Sequence, residues 1–345
     1  MNKKIITNKI SKFFIMLIFA SVFLCLASCS KNNTINESSV TTEETTIKKQ
    51  NEKISIVCTI FPLYDFVKEI IKQNEDKFDL TLLIDNGIDF HNYTPTVDDD
   101  IKIRNANIFF YIGGESDSWA SKIIESNTNN DLNSINMMNE LKDIIKVEEE
   151  IEGMEKEEED LDSEEIEHDE HIWLSLLNAQ KMISIITNEI IKLDKENENI
   201  YLSNLTEYNK KLRELDKEYK NTITQIKNNT ILFADRFPFR YLFDDYNLKY
   251  FAAFKGCSAE TECSFDTIMF LSNKVKELSL DNIYVIDGSS KRIANTIITN
   301  SSNKNINIQE MNSMQGITLQ DINSGKNYLN IMKENLNALS YSIIK

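Results

Sequence analysis

ISIVCTIFPLYDFVKEIIKQNEDKFDLTLLI, residues 54–84, decides the fold of this 345-residue chain. Residues 54–61 are an apolar run rich in β-branched side chains, which reads as a buried strand. Pro62 then stands where a helix tolerates it, in the first turn. Residues 64–72 carry apolar side chains at helical spacing, and residues 80–84 read as a second strand. A strand, a helix and a strand in so short a span form a βαβ unit, whose crossover makes the two strands parallel.

Working outward, the same alternation recurs. Residues 97–105 support a helix, residues 108–112 (IFFYI) a buried strand ended by Gly113-Gly114, and residues 179–193 another helix. From 196 to about 227 the chain is charged and free of proline, with Tyr201, Leu205, Tyr208, Leu212, Leu215, Tyr219, Ile223 and Ile226 at roughly helical spacing. That predicts one long helix of about 30 residues, ~45 Å at 1.5 Å per residue. Beyond it, strands are expected at 231–234, 250–254, 283–286 and 306–311, with helices at 265–278, 292–298 and 328–344. The expected fold is therefore α/β: two lobes of mostly parallel sheet covered by helices, joined by one long rigid helix. The boundaries read as 54–193 for the N-terminal lobe, 194–228 for the linking helix and 229–345 for the C-terminal lobe. In such sheets ligands bind beyond the carboxyl ends of the strands.

Upstream, Lys3, Lys4, Lys9 and Lys12 precede an apolar run over residues 13–26. At 14 residues it is shorter than the ~20 a membrane-spanning helix needs, so it reads as a secretory signal. The run ends in Leu26-Ala27-Ser28-Cys29, which resembles the lipobox of bacterial lipoproteins. Residues 1–28 are then a signal peptide and Cys29 the lipid attachment site; a plain secretory signal or an uncleaved anchor are the alternatives. Residues 29–53 are too polar to bury a core and read as a disordered tether. The expected location is extracytoplasmic, anchored by lipid to a bacterial cell membrane.

Of the net charge of −17, a local −14 falls between Glu148 and Glu170, where 15 acidic residues face one lysine. The acidity belongs to one loop, 147–170, expected to repel itself into disorder. It is either a solvated insertion or a weak cation collector beside His171. No basic patch interleaved with aromatics points to nucleic acid. Cys58, Cys257 and Cys263 remain beyond the tether, an odd number that implies no disulfide framework, although a Cys257 to Cys263 bridge is conceivable. All three histidines, His91, His168 and His171, fall in two short stretches, DFHNYTP and EIEHDEHIWL. Imidazoles beside carboxylates suit a divalent metal.

Four segments in order, IFPLYDFVKEI, DNGIDFHNYTPTVDDDIKIRNANIFFYIGG, HDEHIWLSLLNAQKM and YLNIMKENLNAL, resemble the zinc- and manganese-binding lipoproteins that serve ABC transporters, the cluster A-I substrate-binding proteins. The resemblance spans about residues 54–345 and implies two α/β lobes joined by a rigid helix. It carries the first two metal ligands onto His91 and His171, while His168 belongs to the variable acidic loop. The third family ligand, a histidine or glutamate, falls on Arg236, whose guanidinium stays protonated and cannot ligate. Asp235 is the substitute if the backbone is shifted by a residue. Asp287, in IYVIDGSS, is the candidate for the fourth, acidic ligand, and Cys257 is an outside candidate whose thiolate would favour zinc.

Zinc is thus the first expected cargo and manganese the second, with binding that weakens as pH falls through the histidine range near 6.5. The resemblance implies a monomeric receptor that captures the ion between the lobes and hands it to an ABC permease. The chain has no HExxH, GxSxG or Gly-rich phosphate loop, so no enzyme is expected. A surface adhesin or interaction lipoprotein with a vestigial or structural metal site is the alternative.

Overall fold

The computed structural model describes residues 53–156, 166–226, 229–258 and 262–342. The expected signal peptide, Cys29, nearly all of the tether and the middle of the acidic run lie outside the described residues. The strands β1 (Ile54–Cys58), β2 (Phe78–Leu82), β3 (Ile108–Tyr111) and β4 (Asn133–Asn136) form a parallel sheet in the order β2-β1-β3-β4. A second parallel sheet has β5 (Thr230–Arg236), β6 (Lys249–Phe254), β7 (Asn282–Ile286) and β8 (Asn307–Met311) in the order β6-β5-β7-β8. The two orders are the same relative to chain direction, so each half repeats one topology. In each sheet the strand order reverses at the first strand, and the segments at or after the ends of β2, β5, β7 and β8 line one cavity.

The βαβ reading of 54–84 holds, with the helix Phe61–Ile71 beginning three residues earlier than its spacing suggested because Pro62 fits the first turn. The long helix is Glu198–Ile223, 26 residues and therefore ~39 Å. Tyr201, Tyr208, Leu212, Leu215, Tyr219 and Ile223 form its buried stripe. It packs on Phe61–Ile71, on Leu176–Leu193 and on the closing helix Tyr328–Ser340. One hydrophobic core runs from Ile56 to Leu339 through both halves. Trp173 stitches them together: its indole N–H donates to Ser313 O at 2.9 Å, and its own carbonyl accepts from Tyr328 Oη at 2.7 Å.

Two expectations need correction. The strand β4 (NSIN) and the helices Ser118–Glu125 and Arg240–Asp245 had no sequence reading; β4 has one buried residue, Ile135, and exists because β3 offers it a free edge. The acidic run is not a single solvated loop. Val147 and His168 pair as an antiparallel bridge, Glu148 N donates to Glu167 O, and Asp169 N donates to Lys146 O. Met154, Asp169 and Glu170 are buried, and Glu155 N donates to Ala253 O beside β6. Residues 157–165 lie outside the described residues. The stems of the run are held because their backbones find hydrogen-bond partners and their carboxylates find amide donors, which charge counting does not reveal.

Candidate metal centre

His91 sits in the loop that follows β2. Asp89 caps the 3-10 turn Phe90–Asn92, its Oδ1 accepting from His91 N at 3.0 Å. A capping box between Thr96 and Asp99 then starts the helix Val97–Asn105, so the loop is pinned on both sides of the histidine. The His91 ring places Nε2 3.0 Å from His171 Nε2 and Nδ1 2.7 Å from Ser116 Oγ. Ser116 belongs to the turn after β3, where Gly114 adopts φ +78°. A Cβ on Gly114 would stand 2.2 Å from Glu170 Oε1, the atom that accepts from Ser116 N, so glycine is required for that approach.

His171 is fully buried. Asp169 Oδ1 accepts from both His171 N and His171 Nδ1 at 2.9 Å. That partner fixes the proton on Nδ1 and leaves the Nε2 lone pair facing His91, the carboxylate–imidazole arrangement typical of metal-binding histidines. Facing Nε2 atoms cannot both be bare at 3.0 Å, so with the His171 proton on Nδ1 the His91 Nε2–H donates to His171 Nε2 and Ser116 Oγ–H donates to His91 Nδ1. A hydroxyl both donates and accepts. Ser116 can therefore also receive Nδ1–H when His91 turns its Nε2 lone pair inward.

Cys257 approaches from the second sheet, in the loop that follows β6. His91 Nε2, His171 Nε2 and Cys257 Sγ lie within 4.8 Å of one another, the one such histidine, cysteine or carboxylate group among the described residues. Gly256 permits this: a Cβ there would be 2.9 Å from Phe237 O and 3.3 Å from both Glu148 Oε1 and His171 Cε1. Glu148, on the stem of the acidic run, accepts from Gly256 N at 2.7 Å and lies 3.8 Å from the Cys257 sulfur.

The two aspartates expected to complete the set lie outside that group. The register between β5 and β6 slips between Phe233 and Arg236, a bulge of the kind Asp235 needed, but it turns Asp235 toward Ser289 and Ile286. Asp287 Oδ1 accepts from Ser313 N at 2.7 Å and Ser313 Oγ at 3.0 Å. Both line a cavity of about 490 Å³ that also touches Asp89, Arg236 and Gln315. Arg236 reaches across to Asp89 and to Ser258 O. His168 is exposed in the bridge with Val147.

Burial lowers the pKa of both ligand-type histidines to about 3, with the neighbouring His171 ring adding to the effect on His91 and the Arg236 charge acting on both. Burial raises Asp169 and Glu170 to about 7; it raises Glu148 to about 8, helped by the Asp169 charge. Desolvation also pushes the Cys257 thiol well above its ordinary value. Burial thus favours neutral imidazoles and protonated acids side by side. Sequence reading missed Ser116, Glu148, Asp169, Glu170 and Gln315. Asp169 and Glu170 stand just before His171, and that adjacency was the available signal; Gln315, whose Nε2 is 3.1 Å from His171 Nε2, had none.

Three comparisons bear on this geometry. A family model described as zinc-uptake complex component A, periplasmic, matches residues 56–341. The chain is 30% identical over 329 residues to the high-affinity zinc uptake system protein ZnuA of Bacillus subtilis, covering 95% of this chain and 97% of that one. It is 28% identical over 292 residues to the zinc-binding lipoprotein AdcA of Streptococcus pneumoniae, covering 85% of this chain and 56% of AdcA, so it spans little more than half of that relative. The solved Zn(II)-bound ZnuA-like domain of AdcA superposes with a TM-score of 0.67 at 26% identity, covering 85% of this chain and all of that domain. The two-lobed α/β fold read from the sequence is the fold of that domain.

Proposed function

We propose that this chain, which belongs to the zinc-uptake complex component A family, captures zinc in the cleft between its lobes and delivers it to the permease of an ABC importer. Members of the family bind solutes and are not enzymes. In this reading Cys29 carries the lipid that holds a monomeric receptor at the outer face of the membrane, and residues 54–193, 194–228 and 229–345 are the lobes and their linking helix.

The observation that carries the reading is the convergence of His91 Nε2, His171 Nε2 and Cys257 Sγ within 4.8 Å. Imidazole and thiolate donors select zinc over manganese, which prefers oxygen. The metal-binding residues are therefore His91, His171 and Cys257, drawn from both sheets, with Asp235 and Asp287 shaping the adjoining cavity. The test is competitive zinc and manganese affinity on the full chain in detergent, beside His91→Ala, His171→Ala, Cys257→Ala, Asp235→Ala and Asp287→Ala. One equivalent of zinc, retained against manganese and lost with each of the first three changes, is expected. Manganese preference, or loss only with the aspartate changes, would overturn this ligand set.

A further inference from the structure

When His91 turns its Nε2 lone pair toward a metal, its Nδ1 carries the proton and needs an acceptor. Ser116 Oγ stands 2.7 Å from Nδ1 and can take that N–H only by turning its own hydrogen elsewhere. Resting on the zinc-receptor reading above, we infer that Glu170 takes the Ser116 hydrogen and so acts as a positioning residue, setting which ring nitrogen of His91 meets zinc. Its Oε1 already accepts from Ser116 N at 2.9 Å. Its Oε2 is buried without a hydrogen-bond partner and lies 3.7 Å from His91 Nδ1. A buried acceptor with no donor costs stability, and the inferred arrangement supplies the donor.

With zinc bound, His91 Nδ1–H then donates to Ser116 Oγ, and Ser116 Oγ–H donates to Glu170 Oε2. The hydroxyl and the amide of Ser116 both lie close enough to the carboxyl to favour its charged form against the burial that opposes it. The other acids nearby are committed. Asp89 accepts from His91 N with Oδ1 and is held by Arg236 at Oδ2. Asp117 Oδ2 accepts from Ile112 N, Gly113 N and Thr59 Oγ1, and Asp169 holds the His171 ring. The side chains of His91 and Glu170 are 6% and 2% exposed, so bulk water does not replace the carboxyl. An amide in its place makes the opposite choice. Ser116 N–H requires an oxygen at the Oε1 position, so Glu170→Gln sets its NH2 at the Oε2 position, donating where the carboxyl accepts. The Ser116 hydrogen is then left on His91 Nδ1, which keeps the ring proton on Nε2, the nitrogen that zinc needs bare.

The experiment measures zinc affinity and the NMR shifts of isotope-labelled histidine ring nitrogens on the full chain in detergent, for wild type, Glu170→Gln, Ser116→Ala and the double variant. Glu170→Gln keeps the shape and volume of the side chain, so it carries the test without emptying the core. It is expected to lose about tenfold in zinc affinity and to shift the Nδ1 resonance of zinc-loaded His91, while the His171 resonances, set by Asp169, stay in place. The loss in the double variant is expected to fall short of the two single losses multiplied, because Glu170 acts through Ser116. Wild-type affinity in Glu170→Gln, losses that multiply in the double variant, or lost affinity with the His91 resonances unmoved would each overturn the positioning role and leave the receptor reading standing. Absence of tight zinc in wild type would overturn the receptor reading and this inference with it.

Discussion

Arg236 Nη2 lies 2.5 Å from Asp89 Oδ2, so a residue of the second sheet grips the loop that carries His91 in the first. Asp89 passes the constraint on, because its other oxygen caps His91 N. The guanidinium that cannot ligate thus acts as a strut between the halves, and its charge helps keep both rings neutral. Both side chains are largely buried, 14% and 24% exposed. Arg236→Ala is expected to cost about 2 kcal/mol of stability, between the values typical of exposed and fully buried pairs, and to weaken zinc several-fold. A double-mutant cycle with Asp89→Ala, read by thermal melts and zinc titration, checks it; additive effects would mean the pair carries no coupling.

Asp169 has a different task, because it selects the His171 tautomer rather than placing a loop. Asp169→Ala is expected to lower zinc affinity roughly ten- to a hundredfold, and Ser116→Ala to act in the same direction on His91. Zinc competition assays on the single variants measure both. Wild-type affinity in Asp169→Ala would show that the ring keeps its tautomer without the carboxylate.

Burial places the titration of the two histidines themselves below the range near 6.5. Both histidines have folded-state pKa values of about 3, below the unfolded value near 6.5, so the unfolded chain takes up more protons between those limits. Their contribution to stability is therefore present above pH 6.5 and lost as pH falls toward 3. Burial raises the Cys257 thiol, so ligation of zinc as a thiolate releases a proton from it. The logarithm of the wild-type association constant is expected to rise by about one more per pH unit than that of Cys257→Ala between pH 6 and 8. Parallel slopes would mean that no thiolate forms.

Asp65 gives a stability test of the opposite sign. Its Oδ2 accepts from Tyr328 N at 2.9 Å and caps the closing helix from the first half, while burial raises its pKa to about 7. The protonated form is favoured in the fold, so stability is fully present below about pH 4 and is lost as pH rises through 7. Asp65→Asn retains an acceptor without a charge. It is expected to stabilise the chain by a few kcal/mol at pH 8, on the order of 1.4 kcal/mol for every tenfold difference in acidity between the folded and unfolded carboxyl, and to make little difference at pH 4. Melting curves at the two pH values decide.

The parallel strands were legible because 54–58, apart from Ser55, and 108–111 are apolar runs, and the long helix because its tyrosines and leucines recur at helical spacing. His91 and His171 stood out by scarcity and by neighbouring motifs. Cys257 was legible only as an isolated thiol after a strand, since its position beside the histidines depends on Gly256 allowing the backbone to pass within contact of the His171 ring. Gln315 is 144 residues from His171 and sits on no periodic pattern, so only the packing of the two sheets brings it there. Asp235 illustrates the reverse: the one-residue slip was foreseeable, but not the direction in which a bulge turns a side chain.

The acidic run divides into parts with separate consequences. Glu148 belongs to the site, through Gly256 N and the Cys257 sulfur, whereas residues 157–165 add seven carboxylates and no lysine. Replacing 157–165 by a Gly/Ser linker of the same length is expected to leave the tight zinc equivalent unchanged and to remove only weak, salt-sensitive binding. Glu148→Gln keeps an acceptor for Gly256 N but cannot give up a proton as the carboxyl can, and it is expected to weaken the tight site. Isothermal titration at low and high salt separates the two classes. If the linker variant loses the tight equivalent, the insertion supplies a ligand; if Glu148→Gln leaves it intact, the stem serves only to hold the backbone.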